Sequence, residues 1–166
     1  MSNEIVSTIE EQTETLFLNV EITLHTCNMN IIVCGMPVWK HVYHMLHSLD
    51  RWFINPQVYE EPPFHEPNLN SLDIPSEKVL SKEEMLSYFD GIKVKISCYL
   101  KDLTDDMLAE KPENCDYTRM ALVFGQYRHC YAHIGIINGS TIQVTGKWPR
   151  VVGLDSNYAE ENKYFE

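Results

Sequence analysis

One stretch of the sequence constrains the fold class most tightly, because it joins a helix start signal to a regular apolar stripe. Ser81 and Glu84 have the spacing of a capping box, in which each side chain accepts a hydrogen bond from the other residue's backbone N–H. Apolar side chains then recur at alternating steps of four and three, at Met85, Phe89, Ile92, Ile96, Tyr99 and Leu103. This spacing places them on one face of a helix, so the segment is predicted to be a bundle helix.

Three further segments carry helical periodicity. The first has its stripe at Ile9, Leu16, Val20, Leu24 and Cys27. A break is expected near residues 28–35, and a second helix is predicted from Pro37 to about residue 53, since proline is favoured in a first turn. The last helix is predicted over residues 117–138 and followed by an extended tail from Ser140. Because this helix contains few charged residues, we expect it to be the most buried of the four.

These elements predict an all-α, four-helix bundle that forms a single domain over residues 1–166. The connection between the second and third helices, residues 54–80, is long and is interrupted by Pro56, Pro62, Pro63, Pro67 and Pro75. Long connections of this kind are often functional lids. The alternative is a packed surface crossover that only satisfies the topology of the bundle.

Charge and composition exclude several classes of function. The formal net charge of −11 argues against a nucleic-acid partner, because phosphate backbones attract clustered lysine and arginine. No apolar run approaches the roughly 20 residues of a membrane span. The polar, acidic start does not resemble a signal peptide, and the five cysteines lack paired spacing. A soluble cytoplasmic protein with reduced thiols is therefore expected.

Histidines supply the candidate chemistry. His129 and His133 are four residues apart on the predicted fourth helix, so their imidazoles stack on one face and can bind one divalent ion from one side. A second group, His41, His44 and His47, lies on the second helix. On a helical wheel His41 is nearest the apolar face, His44 is on the flank and His47 is the most exposed. The same spacings also suit ordinary surface or hydrogen-bonded histidines.

The sequence resembles the DinB superfamily of metal-binding four-helix bundles. The resemblance rests on the segments PVWKHVYHMLHSLDRWF and GQYRHCYAHIGIING, with a tail of the type TGKWPRVVG, and it extends over essentially the whole chain. In that family one histidine of the second helix and a pair on the fourth bind a divalent metal. The resemblance implies the ligands His44, His129 and His133, with His41 replacing His44 if the register on the second helix differs. His47 has no counterpart and is expected on a solvated face.

The resemblance also implies a chemistry. Relatives include bacillithiol S-transferases and mycothiol-dependent enzymes such as maleylpyruvate isomerase. We therefore expect a small-molecule thiol and an electrophile as substrates, with zinc as the default metal and nickel, iron or manganese as alternatives. A non-catalytic metal- or ligand-binding, stress-related bundle is the alternative function. The apolar tail residues Trp148, Val151, Val152 and Leu154 predict a homodimer, since relatives often form twofold dimers. No catalytic side chain is predicted.

Overall fold

The computed structural model of the protein describes residues 3–154 and 163–165. Its main elements are four long helices: α1 (Glu4–Thr26), α2 (Val38–Trp52), α3 (Lys82–Lys101) and α4 (Arg119–Thr145). A short 3₁₀ helix, Asp106–Ala109, precedes α4. Two small antiparallel strand pairs complete the described part, β1 (Ile32–Val33) with β2 (Met36–Pro37) and β3 (Trp148–Pro149) with β4 (Tyr164–Phe165). The prediction of an all-α fold is confirmed. Within the described residues, no helix combines the length and apolarity needed to cross a bilayer.

The four helices surround one apolar core. α2 packs most closely against α4, and α1 contacts both α4 and α3, while α3 also contacts α2. Every helix contributes to the same buried cluster, which includes Leu16, Val42, Phe89 and Ile134. α2 and α4 thus make the most extensive contact between two helices of the described chain, and His44 of α2 meets His129 and His133 of α4 there.

The start of α3 is built as its sequence predicts. The backbone N–H of Glu84 donates to the Ser81 hydroxyl over 3.1 Å, and the backbone N–H of Ser81 donates to the Glu84 carboxylate over 2.8 Å. This reciprocal pair satisfies two N–H groups that the helix itself leaves free. The stripe that follows lies in the core, except for Tyr99, which is partly exposed.

A tight hairpin separates α1 from α2. Cys34 and Gly35 both have positive φ, 50° and 83°, and they close the turn between β1 and β2. Pro37 then directly precedes α2 in an extended conformation, which fixes the entry of the chain into this helix. The predicted break near residues 28–35 is present, and it carries the Val33 carbonyl group to the side of α2.

The end of α4 differs from the prediction. The helix continues past Asn138 to Thr145, where Gly146 ends it in the left-handed region at φ 69°. Ser140 and Thr145 are not helix breakers here, because each hydroxyl donates to a carbonyl of the preceding turn. The extended tail begins only after Gly146, and the backbone of its Val152 is bound on both sides by the Asn19 side chain of α1.

The expectation that α4 is the most buried helix is wrong. Eleven of the fifteen residues of α2 are buried, whereas only ten of the twenty-seven residues of α4 are. α4 leaves the large apolar side chains of Phe124, Tyr131, Ile136 and Val144 exposed. An apolar composition therefore does not identify the central helix in this bundle. α2 is buried in spite of its polar residues because the connection over residues 53–81 covers it.

Candidate metal centre

Three imidazoles converge at the interface of α2 and α4. His44 Nε2 lies 3.2 Å from His129 Nε2, which lies 3.1 Å from His133 Nε2. Ligand nitrogens around one tetrahedral ion, with bonds of about 2.0–2.1 Å, lie roughly 3.4 Å apart. Two of the three nitrogen–nitrogen separations are thus close to the spacing around a shared ion, and all three ligand atoms lie within 4.8 Å of one another. These three residues form a group that could hold a metal ion.

The helices determine this arrangement. His129 and His133 are one turn apart on α4, so their rings present the same atom to the same side, with centroids 4.6 Å apart. His44 faces them from the flank of α2. His133 is buried, whereas His44 and His129 are partly exposed, so the cluster is closed toward the core and open toward the surface.

The connection after α2 orients His44. His44 Nδ1 lies 2.8 Å from the backbone carbonyl oxygen of Asn70. Since a carbonyl only accepts, Nδ1 carries the proton and Nε2 keeps its lone pair toward the other two rings. A carbonyl behind a ligating imidazole is the usual outer-shell partner of a metal site. His129 and His133 differ, because their buried Nδ1 atoms have no hydrogen-bond partner within the part of the chain that the structure describes.

The surroundings of the cluster lower the pKa values of both histidines on α4 and so disfavour their protonated forms. Burial lowers the pKa of His129, and the neighbouring His44 lowers it further. Burial also lowers the pKa of His133, to about 3, with contributions from His129, His44 and His41. Both rings are therefore neutral at pH 7, which is the form that binds a metal. Two neutral imidazoles on α4 that face His44 suit a divalent cation, because the neutral ring is the form that ligates a metal.

His41 does not join the cluster. It is only 4% exposed, and its Nε2 lies 2.9 Å from the carbonyl oxygen of Val33 in the hairpin before α2. Its ring centroid is 6.5 Å from that of His133, farther than the rings of His44 and His129. The geometry thus brings together the three histidines that the resemblance implied, with His44 rather than His41 from α2.

The expectation of a solvated His47 is wrong. His47 is 3% exposed because the connection over residues 53–81 lies across that face of α2. Its Nε2 lies 2.7 Å from a carboxylate oxygen of Glu61, and its ring stacks on that of His65 at 5.0 Å. A helical wheel shows only which face is turned from the other helices, and it contains no information on a loop that covers this face.

This second cluster, His47 with Glu61 and His65, was not identified from the sequence. A signal was present, since Glu61 and His65 flank two prolines at a spacing of four. Burial lowers the pKa of His47, while its bond to Glu61 opposes that shift. The pKa of Glu61 is itself lowered: burial raises it, but His47, His65 and Arg51 outweigh that effect. Glu61 is therefore an ionised carboxylate at neutral pH, and it faces the imidazole of His47.

Two other reactive side chains lie away from the three-histidine cluster. Cys130 is fully buried, and burial raises its pKa to about 12, which makes it an inert core thiol. Arg128 is exposed and, among the described residues, pairs with no carboxylate. It lines a cavity of about 240 Å³ together with Trp52, Tyr117 and Gln126.

Comparison with known proteins finds no matching family model, no matching curated protein and no matching solved structure. The function is therefore inferred from the arrangement of the chain's own residues.

We expect His129→Ala and His44→Ala each to lower the bound zinc by one equivalent per chain while helical content is kept. Loss of a direct ligand weakens binding beyond the ~10–100-fold that an outer-shell partner costs. Atomic spectroscopy on protein purified without a nickel column measures the metal, and circular dichroism measures the fold. His25→Ala, on an exposed position at the end of α1, is the control. Unchanged zinc in both variants, or loss in His41→Ala with retention in His44→Ala, would contradict the ligand set.

We expect the metal-free protein to lose stability as the pH falls below about 6.5. The unfolded His133 takes up a proton near its ordinary pKa of 6.5, whereas the folded one does so only near about 3. Between these values the unfolded state binds more protons, so acid favours unfolding. Urea unfolding between pH 7.5 and 5 measures the trend, and His133→Gln should flatten it relative to the parent. An equal pH dependence in both proteins would refute the explanation.

Proposed function

We propose that the protein is a DinB-like, divalent-metal-dependent enzyme that transfers a small-molecule thiol to a small electrophile. The observation that carries this proposal is the convergence of the Nε2 atoms of His44, His129 and His133 within 3.1–3.2 Å contacts at the α2–α4 interface. Zinc is the metal we propose, with nickel, iron or manganese as alternatives, since affinity order alone does not decide occupancy.

The fold supports this assignment. One ligand comes from α2 and two come from α4, and the long connection lies between α2 and α3. This is the order of elements that the DinB resemblance implies. The site and the connection are also physically linked, because the carbonyl of Asn70 orients His44. The superfamily assignment thus agrees with the helix order and with the ligand positions.

A divalent ion bound there would lower the pKa of a thiol and provide a nucleophile at neutral pH. The three histidines would supply neutral donors that leave the ion its full positive charge. In the part of the chain that the structure describes, this cluster brings together these three histidines without a fourth histidine, cysteine or carboxylate ligand. Open coordination positions therefore remain for a substrate, as in catalytic rather than structural sites.

The cavity beside Arg128 is the substrate pocket we propose. Gln126 lines this cavity and precedes His129 by three residues. Side chains at this spacing are neighbours on the surface of a helix, so the cavity lies next to His129 on α4. Its volume of about 240 Å³ suits part of a small molecule. Arg128 offers a planar fork of donors that can bind a carboxylate of the thiol or the electrophile.

The alternative is a non-catalytic metal-binding bundle. The Nδ1 atoms of His129 and His133 have no hydrogen-bond partner among the described residues, so two of the three ligands lack the outer-shell bond that tunes the activity of a bound metal, and this favours the alternative. Metal content does not separate the two functions, since both require the ion. Turnover separates them.

We expect the zinc-loaded protein to accelerate transfer of a low-molecular-weight thiol to an electrophile, and His129→Ala to lose most of this activity with the metal. Arg128→Ala should raise KM for a carboxylate-bearing substrate roughly 10- to 100-fold, as loss of a charged hydrogen bond of about 1.5–3 kcal/mol implies, with a smaller effect on kcat. Lys111→Ala, an exposed cation before α4, is the control. The panel includes bacillithiol, mycothiol, glutathione and cysteine. Full zinc occupancy without turnover of any of these thiols would favour the non-catalytic alternative.

We also propose a homodimer in the cytoplasm. The outer face of α4 exposes Phe124 and Tyr131, and the tail exposes Trp148 and Leu154, which gives an apolar surface that a second copy would cover. Val152 does not belong to this surface, because it is buried against α1 of its own chain. An odd number of unpaired cysteines suits a reducing compartment. A sedimentation mass near 19.3 kDa at micromolar concentration would contradict the dimer.

A further inference from the structure

A second set of metal-ligating side chains lies one turn further along α2. His47 lies close to Glu61 and His65, which both belong to the connection over residues 53–81. One ligand atom of each of these residues lies within 4.8 Å of the others. Two imidazoles and one carboxylate form a donor set that binds zinc and other first-row divalent ions in proteins. None of these residues belongs to the three-histidine centre.

The local sequence preorganises the two donors of the connection. Pro62 and Pro63 stand between Glu61 and His65 and restrict the backbone there. The backbone N–H of His65 donates to the Pro62 carbonyl over 2.8 Å, which closes a turn and brings the two side chains to the same side. The His65 ring then stacks on the buried ring of His47. The donors are thus held in place by chain geometry as well as by their mutual contact.

The distances are close to those that an ion requires. Glu61 Oε2 lies 2.7 Å from His47 Nε2 and 3.8 Å from His65 Nδ1. Donor atoms on one tetrahedral zinc ion lie roughly 3.4 Å apart, a value between these two. The Glu61 side chain is 43% exposed and can adjust, whereas His47 is fixed in the helix. An ion would replace the Tyr43 hydroxyl, now 2.8 Å away, as the partner of His65 Nδ1. It would also share the carboxylate with Arg51, 3.9 Å from Oε1.

An outer-shell partner is present as well. The Asn70 side-chain amide lies 3.3 Å from His47 Nδ1. The atom of this contact is the amide nitrogen Nδ2, which donates to the ring. When an ion binds the Nε2 lone pair, the ring proton lies on Nδ1, and the amide can rotate so that its oxygen accepts from Nδ1–H. The same residue uses its backbone carbonyl to orient His44. Asn70 therefore contacts the Nδ1 atom of one ligand in each cluster, His44 and His47.

We propose that His47, Glu61 and His65 form a second divalent-metal site, which takes a first-row transition ion such as zinc and is linked to the three-histidine centre through Asn70. The site fastens the connection to α2, with two ligands on the connection and one on the helix. It does not depend on the proposed thiol-transfer activity, and it can exist whether or not the three-histidine centre binds metal.

The test is zinc stoichiometry of the metal-free protein, measured by calorimetric titration and by atomic spectroscopy after dialysis. We expect about two equivalents per chain for the parent and for the control Glu60→Gln, a neighbouring exposed carboxylate. Glu61→Gln and His65→Asn should each bind one equivalent, as should His129→Ala. The double variant Glu61→Gln with His129→Ala should bind none.

The outcomes separate this site from the three-histidine centre. A parent that binds one zinc, lost in His129→Ala and kept in Glu61→Gln, overturns the second site and leaves the proposed function intact. A parent that binds one zinc, lost in Glu61→Gln and kept in His129→Ala, supports the second site and removes the basis of the proposed function. In the His129→Ala background, zinc should raise Tm, and the added Glu61→Gln should abolish that increase. Because Glu61 is exposed, its replacement tests the site without opening the core.

Discussion

The packing of α2 against α4 is the interaction on which the rest of the structure depends. It buries the apolar face of α2, including Val42, Met45 and Leu49, and it aligns the flank of α2 with one face of α4. The contact between His44 and the pair on α4 is a consequence of this alignment. A displacement of either helix by one turn, 5.4 Å along its axis, would separate the three nitrogens beyond the reach of one ion. The core therefore determines the geometry of the candidate centre.

A second constraint is that the buried polar side chains of α2 need hydrogen-bond partners. α2 is the most buried helix of the bundle, yet it carries many polar residues. Lys40, His41, His47 and Asp50 are each at most 9% exposed. Buried polar groups without partners cost about 1–3 kcal/mol each, so this helix requires partners along its whole length. Lys40 donates to the carbonyl of Ile74, and Asp50 accepts from Tyr88 over 2.8 Å and Lys95 over 2.6 Å.

The sequence was informative where local rules decide the structure and less so where tertiary contacts do. The capping box at Ser81 was predictable because its partners are three residues apart. The approach of His44 to His129 followed from the family resemblance, since helical periodicity alone left His41 and His44 open. The burial of His47 depends on Glu61, which lies 14 residues further along an irregular segment, and no periodic pattern encodes such a contact. The sequence does not indicate the full extent of α4, because serine and threonine are common in turns, and here the hydroxyls of Ser140 and Thr145 donate to helix carbonyl groups instead.

The same contacts bear on the two roles considered for the connection over residues 53–81. A lid must open, and opening would break the bonds of Lys40 with Ile74, of His44 with Asn70 and of His47 with Glu61 at once. Leu69, which is fully buried, would also leave the core. Exposing one such leucine costs about 1.5–3 kcal/mol, and the three polar groups add several kcal/mol unless water replaces their partners. These costs are large beside a typical folding stability of 5–15 kcal/mol. The contacts therefore favour a connection that stays closed and orients His44, which leaves the partly exposed side of His44 and His129 as the open face of the candidate centre.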